Sequence, residues 1–92
     1  MTLHDPTKLV RPDGVIVYFI KSKGLSNEQL HREDGPAYIS PSGMEMWFRY
    51  GKRHRTDGPA VLSDSGVKAW WLYGVRYDPI EWLLKLHEFG LK

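Results

Sequence analysis

The chain reads as mainly β (α+β), an antiparallel twisted sheet of repeated β-hairpins with one C-terminal amphipathic helix, and three observations predict this. The phrase His31-Arg32-Glu33-Asp34-Gly35-Pro36-Ala37 returns as His54-Arg55-Thr56-Asp57-Gly58-Pro59-Ala60, 23 residues later. The same offset relates Gly43 to Gly66, Trp47 to Trp70 and Gly51 to Gly74, and a fixed period shared by several residue types is the signature of a repeat architecture. After Tyr77 the apolar spacing changes to that of a helix.

Ninety-two residues form one small domain, near the lower limit for a self-sufficient core. Four Trp, five Tyr and three Phe are many for this size, and an aromatic-covered sheet is a way to bury enough surface in so short a chain. There is no cysteine, which excludes disulfides, thiolate metal sites and a cysteine nucleophile and fits an intracellular protein. A formal net charge of +2 is too small for a dedicated duplex-DNA binder and has the wrong sign for a DNA mimic. No run approaches the ~20 apolar residues that cross a bilayer. The first eight residues carry no apolar stretch of the secretory kind, so the expected location is the cytoplasm.

Taken in order, residues 1–7 read as a loose leader. Lys8 to Arg11 reads as a short edge strand, and Pro12-Asp13-Gly14 as a turn, because Pro presets φ and Gly accepts positive φ. Val15 to Ile20 is β-branched or aromatic on both faces, which predicts a central strand covered on both sides. Gly14 takes the part of Gly43, Tyr18 that of Trp47, and Gly24 falls one residue late for Gly51, so 8–29 is a degenerate first hairpin unit with a loop. Lys21 to Leu30 is polar and reads either as a short helical turn from Ser26 to Gln29 or as a ten-residue loop.

The full repeats are 30–52 and 53–76. In the first, Ala37 to Ser40 pairs through a turn at Gly43 with Met44 to Tyr50; in the second, Ala60 to Ser63 pairs through Gly66 with Val67 to Tyr73. Alternation puts Met44, Met46, Phe48 and Tyr50, with Val67, Ala69, Trp71 and Tyr73, on an apolar face expected to form the core. The other face is mixed and carries Trp47 and Trp70; the C-terminal helix is expected to cover this face in one repeat, through Trp82, Leu83 and Leu86, and to leave the other tryptophan exposed. Asp78 as N-cap, Pro79 at the first helical position and Glu81 three residues beyond Asp78 open a capping helix within 78–90. Ile80, Leu83, Leu84, Leu86 and Phe89 mark its apolar face and Gly90 its stop.

The phrase His-Arg-x-Asp-Gly-Pro-Ala, followed by a turn with Gly, a Trp and an aromatic strand ending in Gly, resembles a tandem repeat family seen in phage and other viral or bacterial proteins. It is also distantly similar to the MORN-type β-hairpin repeats. The resemblance covers about residues 30–76 and implies a scaffold without fixed catalytic residues. For a small phage-type product it further implies a counter-defence role, an inhibitor that binds and blocks a host protein or complex.

Candidate chemistry is sparse. His31 with Asp34 and His54 with Asp57 form His/Asp pairs of the kind used in acid–base or metal sites. They repeat with the hairpin period, however, which is what a structural turn does, with the ring bonding to the next unit and the Asp closing an Asx-turn. No serine lies in a Gly-x-Ser-x-Gly elbow and no glycine-rich loop cradles phosphate. The expectation is therefore a non-enzymatic protein with no cofactor and no metal. The candidate partner-binding residues are Trp47, Arg49, Lys52, Arg53, Arg55 and Trp70, because aromatics and arginines dominate interface hot spots. The expected partner is a host protein, with a homodimer through an open sheet edge as a further option. Two alternatives stay open: single-stranded nucleic acid bound along the basic and aromatic run 47–55, and a His/Asp-dependent enzyme or metal protein.

Overall fold

The computed structural model describes residues 6–21 and 28–91. The strands are Thr7–Val10 (β1), Ile16–Lys21 (β2), Glu28–Leu30 (β3), Tyr38–Ile39 (β4), Glu45–Met46 (β5), Phe48–Arg49 (β6), Lys52–Arg53 (β7), Val61–Leu62 (β8), Lys68–Leu72 (β9) and Val75–Tyr77 (β10). Helix α1, Pro79–Glu88, follows. Every pairing is antiparallel, and β1, β2, β4, β5, β8, β9 and β10 lie in that order across the main sheet, with β3 also on β2 and β6–β7 as a separate ribbon. The fold is the antiparallel hairpin sheet with a C-terminal helix that the period predicts.

Each long strand serves two partners in succession. Lys68 and Ala69 pair with β8, whereas Trp70 to Leu72 fold back on β10. In the unit before, Glu45–Met46 lies between β4 and β8, the ladder breaks at Trp47, and Phe48–Arg49 folds back on β7. β2 does the same, with Ile16 and Val17 on β4 and Phe19 to Lys21 on β3. The expected single hairpin per unit is therefore two: a short strand on one half of the long strand and a tight ribbon on the other. The second hairpin turns on Tyr50-Gly51 or Tyr73-Gly74, with φ of 50° and 81° or 50° and 82°. Positive φ at both central residues suits the twist of a two-residue hairpin. Glycine adopts it without strain, but tyrosine does not.

The first unit repeats these features at reduced fidelity. The Gly14 N–H donates to the Arg11 carbonyl at 2.9 Å, as Gly43 donates to Ser40 and Gly66 to Ser63, each at 3.0 Å. Its Asx-turn uses Asp13, whose Oδ1 accepts from the Val15 N–H at 3.0 Å, where the later units use Ser40 and Ser63 Oγ. The match of Gly24 to Gly51 and the helical turn starting at Ser26 lie outside the described residues. Of the polar stretch 21–30, Lys21 and Glu28–Leu30 are paired strand. β2 is central by its pairing and not by cover on both sides, since Ile16 to Phe19 are only half-buried.

The core meets one expectation about faces and corrects two. Helix α1 covers the mixed face: Leu72, Trp82 and Leu86 form the buried cluster, with Trp70, Tyr77 and Leu91 against it. The face expected to be core instead leaves Tyr50, Val67 and Tyr73 exposed. Helix α1 also packs through a different stripe than its periodicity suggests. Trp82 and Leu86 are buried, whereas Ile80, Leu83 and Leu84 are 74%, 55% and 61% exposed. Two apolar stripes share this helix, and the aromatic one wins the sheet because Trp82 reaches Trp70.

The helix ends are closed as the sequence signals. Asp78 Oδ1 accepts from the Glu81 N–H at 2.9 Å. At the other end Gly90 (φ 69°) donates to the His87 carbonyl at 3.1 Å and Leu91 to the Leu86 carbonyl at 2.9 Å, the pairing of a Schellman motif, with Leu91 packed on the core.

Because Leu86 is fully buried and Leu84 faces out, Leu86→Ala is expected to cost about 2–5 kcal/mol, and Leu84→Ala no more than about 0.5 kcal/mol. Urea denaturation of both variants checks this; equal losses would show that the helix packs through its other stripe.

Candidate functional site

The repeated phrase builds a joint between units. The His31 N–H donates to the Tyr18 carbonyl at 3.0 Å, and the His54 N–H to the Trp47 carbonyl at 3.1 Å. Each buried ring then turns back within its own unit. His31 Nδ1 accepts from the Tyr50 N–H and His54 Nδ1 from the Tyr73 N–H, both at 3.0 Å. The tyrosine rings lie on the imidazoles, with centroids 4.2 Å and 4.4 Å apart. This explains a bulky residue in left-handed conformation at both hairpin tips: the strained backbone aims an N–H at a buried acceptor. Through Nδ1 the two rings thus bond within their own unit. Burial, and secondly the Arg49 guanidinium, hold the His54 ring below its ordinary pKa, so a neutral ring suits the acceptor role of Nδ1.

The arginine beside each histidine reaches back over the preceding unit. Arg55 lies over the Trp47 ring, 3.9 Å from its centroid, and Arg32 lies over Tyr18 at 4.0 Å. Arg55 Nε donates to Asp57 Oδ1 at 2.7 Å and its Nη1 to the Pro59 carbonyl at 3.0 Å; Arg32 makes the same pair of bonds to Asp34 at 3.1 Å and Pro36 at 3.2 Å. The aspartates therefore each hold the guanidinium of the arginine two residues before. A Cβ on Gly58 would stand 2.9 Å from Arg55 Cζ, which is why the fold-over needs glycine. Ala60, wholly buried, leaves its carbonyl to accept from the Trp47 N–H at 2.7 Å. Trp70 has no such arginine after it. Trp82 of α1 takes that place, 4.9 Å from the Trp70 ring, and its Nε1 donates to the Arg55 carbonyl at 3.2 Å.

The six residues singled out from the sequence thus divide. Trp47, Arg55 and Trp70 are packed in the joints between successive elements. Arg53 is half-buried, 5.5 Å from the Phe48 ring centroid and 5.0 Å from that of Trp71. Arg49 and Lys52 flank the Tyr50-Gly51 tip, with Arg49 Nη2 at 3.5 Å from the Glu33 carbonyl. A small notch of about 180 Å³ between successive turns is lined by acids and bases together, among them Asp34, Arg49 and Asp57. A wider cleft of about 470 Å³ opens over the hairpin tips between Arg49, Tyr50, Lys52 and Tyr73. Among the described residues no group of His, Asp and Glu is placed to hold a metal ion, and no helix is long and apolar enough to cross a membrane.

The sequence reading missed the exposure of the turn tyrosines and took the outward helix stripe for the packed one. The Tyr-Gly dipeptide closing both repeats was the available signal for the first, since tyrosine is foreign to a tight turn. For the second, the signal was that Ile80, Leu83, Leu84 and His87 follow i, i+3, i+4, i+7 independently of Trp82 and Leu86.

Replacing Arg55 by Ala removes the ring stack and two hydrogen bonds, with an expected cost of about 2–4 kcal/mol; Arg55→Lys keeps the charge without the fork and should recover only part of it. Retention of full stability in Arg55→Ala, measured by thermal melting, would rule the joint out as a stabilising element. The lowered His54 pKa sets a sign for pH. Above 6.5 the ring is neutral in both folded and unfolded chains, so it adds no pH dependence. Below 6.5 the unfolded chain takes up the proton first, and stability falls until the folded ring also titrates. The lead in urea midpoint of the native chain over His54→Asn should therefore shrink between pH 7.5 and pH 5.

Comparison of the chain with protein-family models, with curated proteins and with solved structures gives no match.

Proposed function

We propose that the chain is a non-enzymatic protein-interaction module that presents the outer face of α1 to another protein. The observation that carries the reading is the outward stripe itself. Ile80, Leu83 and Leu84 occupy neighbouring helical positions, and each is more than half exposed although Trp82 and Leu86 already fix the helix to the sheet. Helix α1 does not need these side chains to fold, and contiguous exposed apolar surface rimmed by polar groups is the usual mark of a docking site. An i, i+3, i+4 set of anchors is the pattern by which a helix enters a partner's groove.

The resemblance of the repeats to phage and viral proteins supports the narrower reading, an inhibitor that occludes a surface on a host protein or complex in the bacterial cytoplasm. Arg49 and Lys52 remain candidates for the partner site, whereas Trp47, Arg55 and Trp70 contribute by holding the units in line. A second copy of the chain is the alternative occupant of the same face.

Ile80→Glu with Leu84→Glu should leave the melting temperature within a few degrees of native, because neither side chain is in the core. Used as bait in a bacterial lysate, the native chain should retain a partner that the double variant loses. A partner held equally by both, or none held by either, overturns the reading. Sedimentation showing a dimer that the double variant abolishes would identify the second copy as occupant.

A further inference from the structure

The two edges of the main sheet are not alike. At one end β10 is three residues long and runs directly into Asp78 and α1. The carbonyl of Trp71, the residue opposite Arg76, accepts from the Arg55 N–H and not from β10, so Arg76 alone turns its backbone outward on that strand. A short edge bearing a charge is a protected one. At the other end β1 is exposed along its whole length, with Leu9 49% and Val10 58% exposed. Among the described residues no strand lies along its outer side. Its register on β2 is unbroken by a bulge, and no proline falls within it.

Which backbone groups of β1 face outward follows from its pairing. The Arg11 N–H donates to the Val15 carbonyl at 2.8 Å, and bonded pairs alternate along an antiparallel ladder, so Leu9 and Thr7 are the next residues bonded to β2, at Val17 and Phe19. Tyr18 agrees with this phase. Its N–H donates to the Ala37 carbonyl at 2.8 Å and its carbonyl accepts from the His31 N–H at 3.0 Å, both on the side of β2 away from β1. Lys8 and Val10 therefore direct their N–H and C=O groups outward. This edge is complementary to itself. Set antiparallel against another β1 about a two-fold axis at Leu9, Lys8 faces Val10 of the second copy and Val10 faces its Lys8, with two N–H···O=C bonds at each such pair. Leu9 then faces Leu9, and Arg11 faces Thr7, so no like charges meet. Pro6 and Pro12 fall opposite each other and, lacking an N–H, end the seam.

We propose that the outer edge of β1 is a homodimer interface, in which Lys8 and Val10 pair antiparallel with Val10 and Lys8 of a second copy and join two sheets into one. The match of Leu9 to itself, and of each charged residue to a neutral one, argues for this occupant over an unrelated strand. An isologous seam closes on itself and leaves no further edge of the same kind. It lies at the opposite end of the strand order from β10 and α1, so both helices stay free for the contact proposed above. So short a seam buries less than the ~1,000 Å² of a permanent interface, which makes the dimer a reversible one.

Sedimentation equilibrium of the full chain tests this, with a dissociation constant expected between about 1 μM and 1 mM. Amide hydrogen exchange at Lys8 and Val10 should slow as concentration rises, while that at Leu9, already bonded to β2, should not change. Val10→Pro removes an outward donor that β2 does not use, and should give a monomer that melts within a few degrees of native. Val10→Lys sets an ammonium opposite Lys8 at both ends of the seam and should weaken the dimer about tenfold. Adding Lys8→Glu to Val10→Lys puts opposite charges across the seam and should bring the dimer back. Ile80→Glu with Leu84→Glu should dimerise as the native chain does, which separates this interface from the helix face. A monomer at every concentration up to about 1 mM, species larger than a dimer, a dimer indifferent to Val10→Lys, or one abolished by the helix double variant overturns the proposal. Should Val10→Pro fail to fold, Val10→Lys and its rescue by Lys8→Glu still decide.

Discussion

An aromatic ring on each long strand has to be covered by whatever comes next in the chain. Tyr18 lies under Arg32, Trp47 under Arg55 and Trp70 against Trp82, and the rest of the fold is arranged so that this can happen. The guanidinium is suited to the task because its planar fork stacks on a ring while its edge still donates to Asp57 and the Pro59 carbonyl. Among the described residues the buried hydrophobic and histidine side chains are few: Val15 and Ile20, two alanines, two histidines, and Leu72, Trp82 and Leu86 at the helix. Order is distributed among these joints and does not reside in one interior.

That arrangement divides the molecule's aromatic residues into two populations. Tryptophans are spent within the joints. The tyrosines of the hairpin tips pack on the buried histidines and stay partly exposed, and the helix adds an apolar stripe that nothing in the described chain covers. Structure and presentation are thus assigned to different residues of the same repeat.

How far the sequence carried can be seen residue by residue. The period disclosed the hairpins, and Asp78, Pro79 and Gly90 disclosed both ends of the helix, because capping and turn preferences depend on local backbone geometry alone. Cover of one repeat's tryptophan by the helix was expected and is found at Trp70, whereas assigning the Met44 and Val67 side to the core failed, because alternation says which residues share a side but not how deeply that side is buried. Met44, Val67 and Tyr73 look more apolar than Lys68, Trp70 and Leu72, yet Trp82 is drawn to Trp70. The candidate site was half legible. The basic run was visible, but the tryptophans looked available since nothing local reveals that an arginine eight residues after Trp47 will fold over its ring. Tyr50 was counted as the end of a strand, and its left-handed backbone follows from a hydrogen bond to a histidine nineteen residues earlier.

The way α1 terminates the array has a bearing on how such a chain can change length. Trp82 seats on the final long strand with its indole much as Arg55 seats on the one before, so the helix is interchangeable with one more turn of the repeat. Any whole number of 23-residue blocks inserted ahead of it meets matching surfaces above and below. Growth or loss by blocks would leave each neighbour's contacts intact, and would add or remove one tyrosine-tipped hairpin at a time. The extent of the tip surface is then a matter of gene duplication, with the closing helix carried along unchanged.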